Sequence, residues 1–150
     1  MPYRIYRGPA DQQPKTVSDK TVAGAYLPAT FVTEGATALT QATAFAPGLR
    51  LLSDRDYYSI GQFDAVDPLK AAYTSGDTGV AYVIEPAQKY QAAVAAATYT
   101  YMQELMVGAA GRLTAATSTN VVVAFFTGVP GAKSAGDLVD IEIANFYTKA

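Results

Sequence analysis

Two runs in the C-terminal third constrain the fold more than anything else in the chain. Asn120–Phe126 (NVVVAFF) is an unbroken β-branched and aromatic run, the pattern of a strand buried on both faces at the centre of a sheet. Leu138–Phe146 (LVDIEIANF) alternates Val139, Ile141 and Ile143 against Asp140 and Glu142, the pattern of a strand with one dry and one wet face. Neither follows a helical period, so the chain is expected to build an all-β core around them.

The rest of the sequence mostly agrees. Half of its 150 residues are hydrophobic, but only 16% are charged, which is poor for solvated helices and suits sheet surfaces rich in Thr, Tyr and Val. Short strand-like segments at Val22–Leu27, Ala29–Thr33 and Leu49–Leu52 are punctuated by Pro28, Gly35, Pro47 and Gly48. A Gly-rich turn at Ser75–Gly79 between Ala71–Thr74 and Val80–Ile84 predicts a hairpin that Pro86 stops. Ser53–Asp56 is a polar corner, and Tyr57–Gly61 either continues as a strand or crosses the end of a barrel. Gly128–Gly136 predicts a mobile loop of small residues between the two strongest strands, a tip where variation or contact is expected.

One segment supports two readings. Gln91–Thr98 is alanine-rich, and with Met102–Met106 it allows a helix over residues 87–107. Against that, Thr98–Tyr101 alternates like a strand, with Tyr99 and Tyr101 on one face, and Gly108 and Gly111 bracket a turn before Arg112–Ala115.

The first twenty residues differ in kind. Pro2, Pro9 and Pro14, with Gly8 and the polar run Asp11–Gln13, block helix and predict an extended arm over 1–20, leaving 21–150 as a single β domain. Arg4, Arg7, Lys15 and Lys20 against Asp11 and Asp19 make this arm basic while the rest carries the acidic excess, so the arm is expected to seek an acidic neighbour that holds it in place. The opening MPYRIYRGPADQQPK has no apolar core of a signal peptide, and no window approaches the ~18 apolar residues of a membrane helix; a soluble protein made in the cytosol is expected. A net charge of −2 provides no electrostatic footprint for a nucleic-acid backbone.

Catalytic chemistry is scarce. With no His and no Cys, triads, thiol nucleophiles, disulfides and thiolate or imidazole metal sites are excluded. Gly108–Arg112 lacks the spacing and setting of a nucleotide-binding loop and reads as a turn. Asp54, Asp56, Asp64 and Asp67 could offer oxygen ligands to calcium but read more simply as a solvated corner. Asp140 and Glu142 share a strand face, as a two-carboxylate hydrolase would need, but fit the wet face of an edge strand. Lys70 and Lys89 could suggest a Schiff base and the eleven tyrosines a sugar-stacking platform, against the commoner role of core or interface tyrosine. No cofactor, metal site or enzymatic activity is expected.

The stretches AYTSGDTGVAYVIEPAQKYQAAVA, GAAGRLTAAT and GDLVDIEIANFYTKA, about half the chain, resemble the capsid cement or decoration (head-stabilising) proteins of tailed double-stranded DNA bacteriophages. Gly76-Asp77, Gly111–Thr114 and Leu138–Ile143 occupy the places of that family's turn, hairpin end and closing strand. Where similar chains place glycine near Ala96-Ala97, this one has alanine, and Met102 precedes its Gln-Glu-Leu segment.

The resemblance implies a compact β-barrel or β-sandwich, jelly-roll or tulip-like, with the N-terminal arm. It also implies a virion protein on the outer capsid surface that bridges neighbouring major capsid protein subunits and self-associates as a dimer or trimer, contacting neither nucleic acid nor membrane. The expected capsid or subunit contacts are Tyr3, Arg4, Tyr6, Arg7, Lys15 and Lys20 on the arm. The alternative is a carbohydrate-binding β-sandwich for host adhesion, with exposed tyrosines as its platform.

Overall fold

The computed structural model describes residues 5–55 and 68–150. Among these, the strands are β1 Thr16–Val22, β2 Phe31–Glu34, β3 Ala38–Gln41, β4 Leu49–Leu52, β5 Thr78–Tyr82, β6 Lys89–Ala93, β7 Ala97–Tyr99, β8 Glu104–Val107, β9 Leu113–Ala115, β10 Val121–Phe126, β11 Gly131–Lys133 and β12 Leu138–Thr148. The only helical pieces among the described residues are two 3-10 turns, Pro68–Lys70 and Ala109–Gly111. The fold is all-β, and the 87–107 ambiguity resolves as the strands β6, β7 and β8.

The first five strands close into a barrel in the order β1-β3-β2-β4-β5, with β5 returning to β1. All its pairs are antiparallel except β1 with β3. A barrel of five short strands has little interior: Val22, Val32, Leu39, Leu52 and Ala81 fill it. Tyr73 adds its ring to this cluster and donates its hydroxyl to the carbonyls of Ser53 (2.8 Å) and Asp54 (3.0 Å). Because that tyrosine packs inward, only the second half of the expected 71–84 hairpin is a strand. The turn itself is present, with Gly76 at φ 94° and the Asp77 carboxylate accepting the Thr74 N–H.

β6, β12, β10, β8 and β9 form a second, open antiparallel sheet in that order. As its sequence predicts, β10 lies at the centre. β12 is not an edge strand, because the alanine-rich β6 pairs along its outer side from Leu138↔Ala93 to Glu142↔Lys89. The main core lies between this sheet and the barrel wall, where Phe31, Leu49 and Leu51 meet Tyr90, Leu105, Phe126 and Ile141. Strands β2 and β4 therefore bury neighbouring residues on opposite sides, Phe31 against Val32 and Leu51 against Leu52.

Three further boundaries differ from the sequence expectation. The first strand is Thr16–Val22 rather than Val22–Leu27, because a closing barrel strand needs backbone pairing more than apolar side chains. Residues 23–30 turn instead, with Ala29 at φ 61° and Thr30 Oγ1 donating to the Leu27 carbonyl (2.6 Å). The Gly128–Gly136 segment is not wholly a loop: β11 pairs with β7 as a two-stranded ribbon. The expectations for Tyr57–Gly61 and for Asp56, Asp64 and Asp67 fall outside the described residues.

Candidate interaction surface

The N-terminal segment runs along the open sheet's β6 edge. The Ile5 carbonyl accepts the Gln91 N–H (2.6 Å), the Arg7 N–H donates to the Lys89 carbonyl (2.9 Å), and Tyr6 bridges to Tyr90. Residues 5–7 thus act as a short extra strand that covers an edge otherwise open to pairing. Ile5 and Tyr6 are buried among the main core, so the strap is fastened by apolar contacts as well as by backbone bonds. The Tyr6 ring meets Tyr90 edge-on at 5.6 Å, and its hydroxyl donates to the Gln12 carbonyl (2.7 Å). Tyr90 is pushed well above the usual phenol range, first by burial and then by neighbouring Tyr82.

Of the six residues expected to make contacts, Tyr3 and Arg4 lie outside the described residues. Tyr6 faces inward. Arg7 lies 3.6 Å from the Asp140 carboxylate, with its Nε buried and lacking a hydrogen-bond partner. Lys15 is exposed, and its carbonyl accepts the Val83 N–H (2.8 Å). Lys20 lies on β1, where its ammonium donates to the Ala36 carbonyl (3.0 Å) and sits 3.7 Å from Asp19. The structure therefore brings Tyr6 and Arg7 together at the β6 edge and places the two lysines along the approach to the barrel and on its wall. A broad groove of about 930 Å³ is lined by residues between 6 and 15 and by the turn at 85–89.

The outer face of the open sheet carries the remaining chemistry. Glu104 accepts the Tyr147 hydroxyl at 2.5 Å and pairs with Lys149 at 3.2 Å. These bonds hold its carboxyl below the usual range, the tyrosine bond first, and in return Tyr147 is pushed up to about 12 by the carboxylate. Met106 and Phe125 lie beside them, half-buried over Ala116, Val122 and Ala144. Asp140 and Glu142 do share this face, but Asp140 is engaged by Arg7 and Glu142 stands opposite Lys89. Among the described residues no cluster of three acidic side chains could hold a metal, and no helix is long and apolar enough to cross a membrane.

Tyr99 and Tyr101, which would share a face if both lay in one strand, are placed differently. Tyr99 is buried and stacks on Phe126 (5.4 Å, 7°), whereas Tyr101 occupies a turn and is 64% exposed, so the two do not share a face. Val129 lies in the Gly128–Gly136 segment expected to be a contact tip, whereas no periodicity in the sequence marks Tyr101 and Met102 as exposed beside it.

The fold of this chain is similar to that of solved chains from bacteriophage heads. The solved structures similar to this chain include the head fiber gp8.5 N base of bacteriophage phi29 and a chain in the capsid of Myoviridae phage XM1. The first matches at TM-score 0.54 and 11% identity, covering 92% of this chain and all of the other. The second matches at TM-score 0.55 and 16% identity, covering 95% of this chain and 91% of the other. No protein-family model matches the sequence, and no curated protein does. At these identities the likeness is one of fold, and it agrees with the resemblance to phage head-stabilising proteins seen in the sequence.

Proposed function

We propose that the protein is a structural component of a phage head that binds the outer surface of the capsid lattice and bridges neighbouring major capsid protein subunits. The observation that carries this reading is a fold shared over nearly the whole chain with components of two phage heads. The chain's own physics supports it. A small β domain of low charge content suits a role in which many copies add modest contacts on a repeating lattice. Within this reading the basic N-terminal residues face an acidic seam between subunits, with Lys15 the most accessible described cation of that segment. Dimeric or trimeric association on the lattice belongs to the same proposal.

For the carbohydrate-binding alternative the described residues offer one widely exposed tyrosine, Tyr101, rather than a platform of several. Tyr6, Tyr73, Tyr90 and Tyr99 are buried, and Tyr147 is engaged by Glu104.

The test is to mix the purified protein with heads of the encoding phage assembled without it. Saturable binding at a fixed ratio to the major capsid protein, with a higher head melting temperature, is the expected result. Lys15→Glu should weaken that binding several-fold at low salt and less at high salt. A wild-type protein that ignores the heads would overturn the reading.

A further inference from the structure

Three exposed apolar side chains lie on two adjoining segments at one corner of the open half, 100–103 and 127–131. Val129 is 77% exposed, Tyr101 64% and Met102 43%. Two independent constraints bring them together. The β7–β11 register pairs Tyr99 with Gly131, which lie two residues from Tyr101 and from Val129 respectively. The Met102 N–H donates to the Phe126 carbonyl (2.6 Å), which fixes the turn at the end of β10, three residues before Val129.

This corner is unlike two other exposed apolar positions. Phe45 packs on Phe146 at 5.5 Å, and Tyr147 is bonded to Glu104 and lies against Phe125 at 6.3 Å. Among the described residues the Tyr101 ring and hydroxyl have no partner. Residues 99–103 and 127–132 carry no charge, so the corner is both apolar and neutral.

The backbone beneath it is also unusual. Thr100–Gln103 is a turn closed by the Gln103 N–H on the Thr100 carbonyl (3.2 Å) and by the Gln103 side chain on the Thr100 N–H (2.9 Å). Met102 sits at its third position with φ 61°, a place where glycine or asparagine is the ordinary choice. A large apolar side chain is held outward at a position that favours having none.

We infer that Tyr101, Met102 and Val129 form a plug that inserts into an uncharged apolar pocket of the lattice protein on which this chain is seated. The inference rests on the head-binding reading above and names one contact surface within it. Area selects the occupant. The three side chains expose together roughly 300–400 Å², well short of the ~800 Å² per partner that holds a stable dimer of folded subunits. A second copy docked through this corner alone would fall apart, whereas a lattice that engages the same molecule elsewhere makes a contact of this size effective. The corner is also continuous with the N-terminal strap: the Thr127 N–H donates to the carbonyl of Asp140, whose carboxylate pairs with Arg7.

The test uses the full-length protein and heads of the encoding phage assembled without it, with binding read by co-sedimentation. Tyr101→Ser with Val129→Ser should weaken binding at least tenfold, the loss persisting at high salt, with the melting temperature of the free protein unchanged. Met102→Gly should weaken binding while raising that melting temperature, since it removes the side chain and relieves the backbone together. Wild-type protein that binds heads and variants that bind equally well would overturn the plug while leaving the head-binding reading intact. Wild-type protein that does not bind would overturn that reading and the plug with it. Wild-type protein that self-associates in solution, and loses this in the double variant, would assign the corner to a second copy and overturn the lattice occupant.

Discussion

The barrel and the open sheet solve the same problem in opposite ways. The barrel pairs β5 with β1, so all five of its strands are paired on both sides and its interior holds a few small or branched side chains around Tyr73. The open sheet leaves two edges. One is covered by the strap at residues 5–7, and the other, β9, is approached by a single parallel bridge from Val94 to Leu113. A closed element has nothing left to offer a partner except side chains, whereas an open one must manage its edges and can lend them out. The strap, the β7–β11 ribbon and the apolar corner all belong to the open half, so the proposed head-binding function would place its contacts there.

The largest expected effect lies at the seam between the halves. Gly111 adopts φ 66°, and a Cβ there would collide with the backbone of Phe31 and the side chain of Gln41. Neither the conformation nor the space suits alanine, so Gly111→Ala should cost about 3 kcal/mol or more and lower the thermal midpoint of the whole molecule in one transition. Two separated transitions would show instead that the barrel survives without the sheet. Inside the barrel, a Cβ on Gly79 would lie 2.6 Å from Val22 Cγ2 and 2.8 Å from Leu39 Cδ1, both on fully buried residues. Gly79→Ala should cost about 2 kcal/mol by overpacking, read by chemical denaturation. A neutral result would mean that the barrel is looser than the open half and would invert the comparison.

The difference between the halves also explains what could be read from the sequence. β10 and β12 were legible because strands that face a thick core carry their burial in their composition, and Val121–Phe126 sits at the centre of the sheet as its pattern requires. β1 was not, because Thr16–Lys20 is polar and becomes a strand only when β3 and β5 supply its backbone partners. The 87–107 segment was ambiguous because alanine suits a helix when isolated. Ala92 and Ala93 are strand residues here because β12 offers a ladder beside them. The candidate contacts were only partly legible. Exposed charge at Lys15 follows from composition, but the inward turn of Tyr6 depends on Tyr90, eighty-four positions later by number. Nothing local marks Met102 for a positive φ, so the apolar corner emerges only with the fold.

A smaller effect tests whether the strap belongs to the folded core. Tyr6→Phe keeps the ring against Tyr90 and removes the hydroxyl bond to Gln12, so it should cost about 1 kcal/mol. The loss should be local: the Arg7 and Gln91 amides, which hold the strap to β6, should exchange faster while amides of the barrel strands keep their protection. Equal acceleration in both halves would mean that the strap and the barrel open together.

The smallest expected effect concerns the exposed pair on the sheet's outer face, and its sign follows from the direction of each shift. Glu104 has its carboxyl lowered in the folded state, so the stabilisation it provides is present above the ordinary carboxylate range and disappears as pH falls through its lowered value. Tyr147 is raised to about 12, so its contribution is present below its ordinary value of 10.0 and is lost as pH rises from there through about 12. One hydrogen bond therefore shows at both ends of the pH scale and is silent between them. Glu104→Gln should return the Tyr147 phenol toward its ordinary value in an absorbance titration and flatten the acid limb of the melting curve. In the barrel, by contrast, the buried Tyr73 phenol donates to the backbone carbonyls of Ser53 and Asp54, which do not titrate. If the Tyr147 titration does not move in Glu104→Gln, the outer face is less ordered than its 2.5 Å bond requires. The open half would then be held together by its strap and inner core alone.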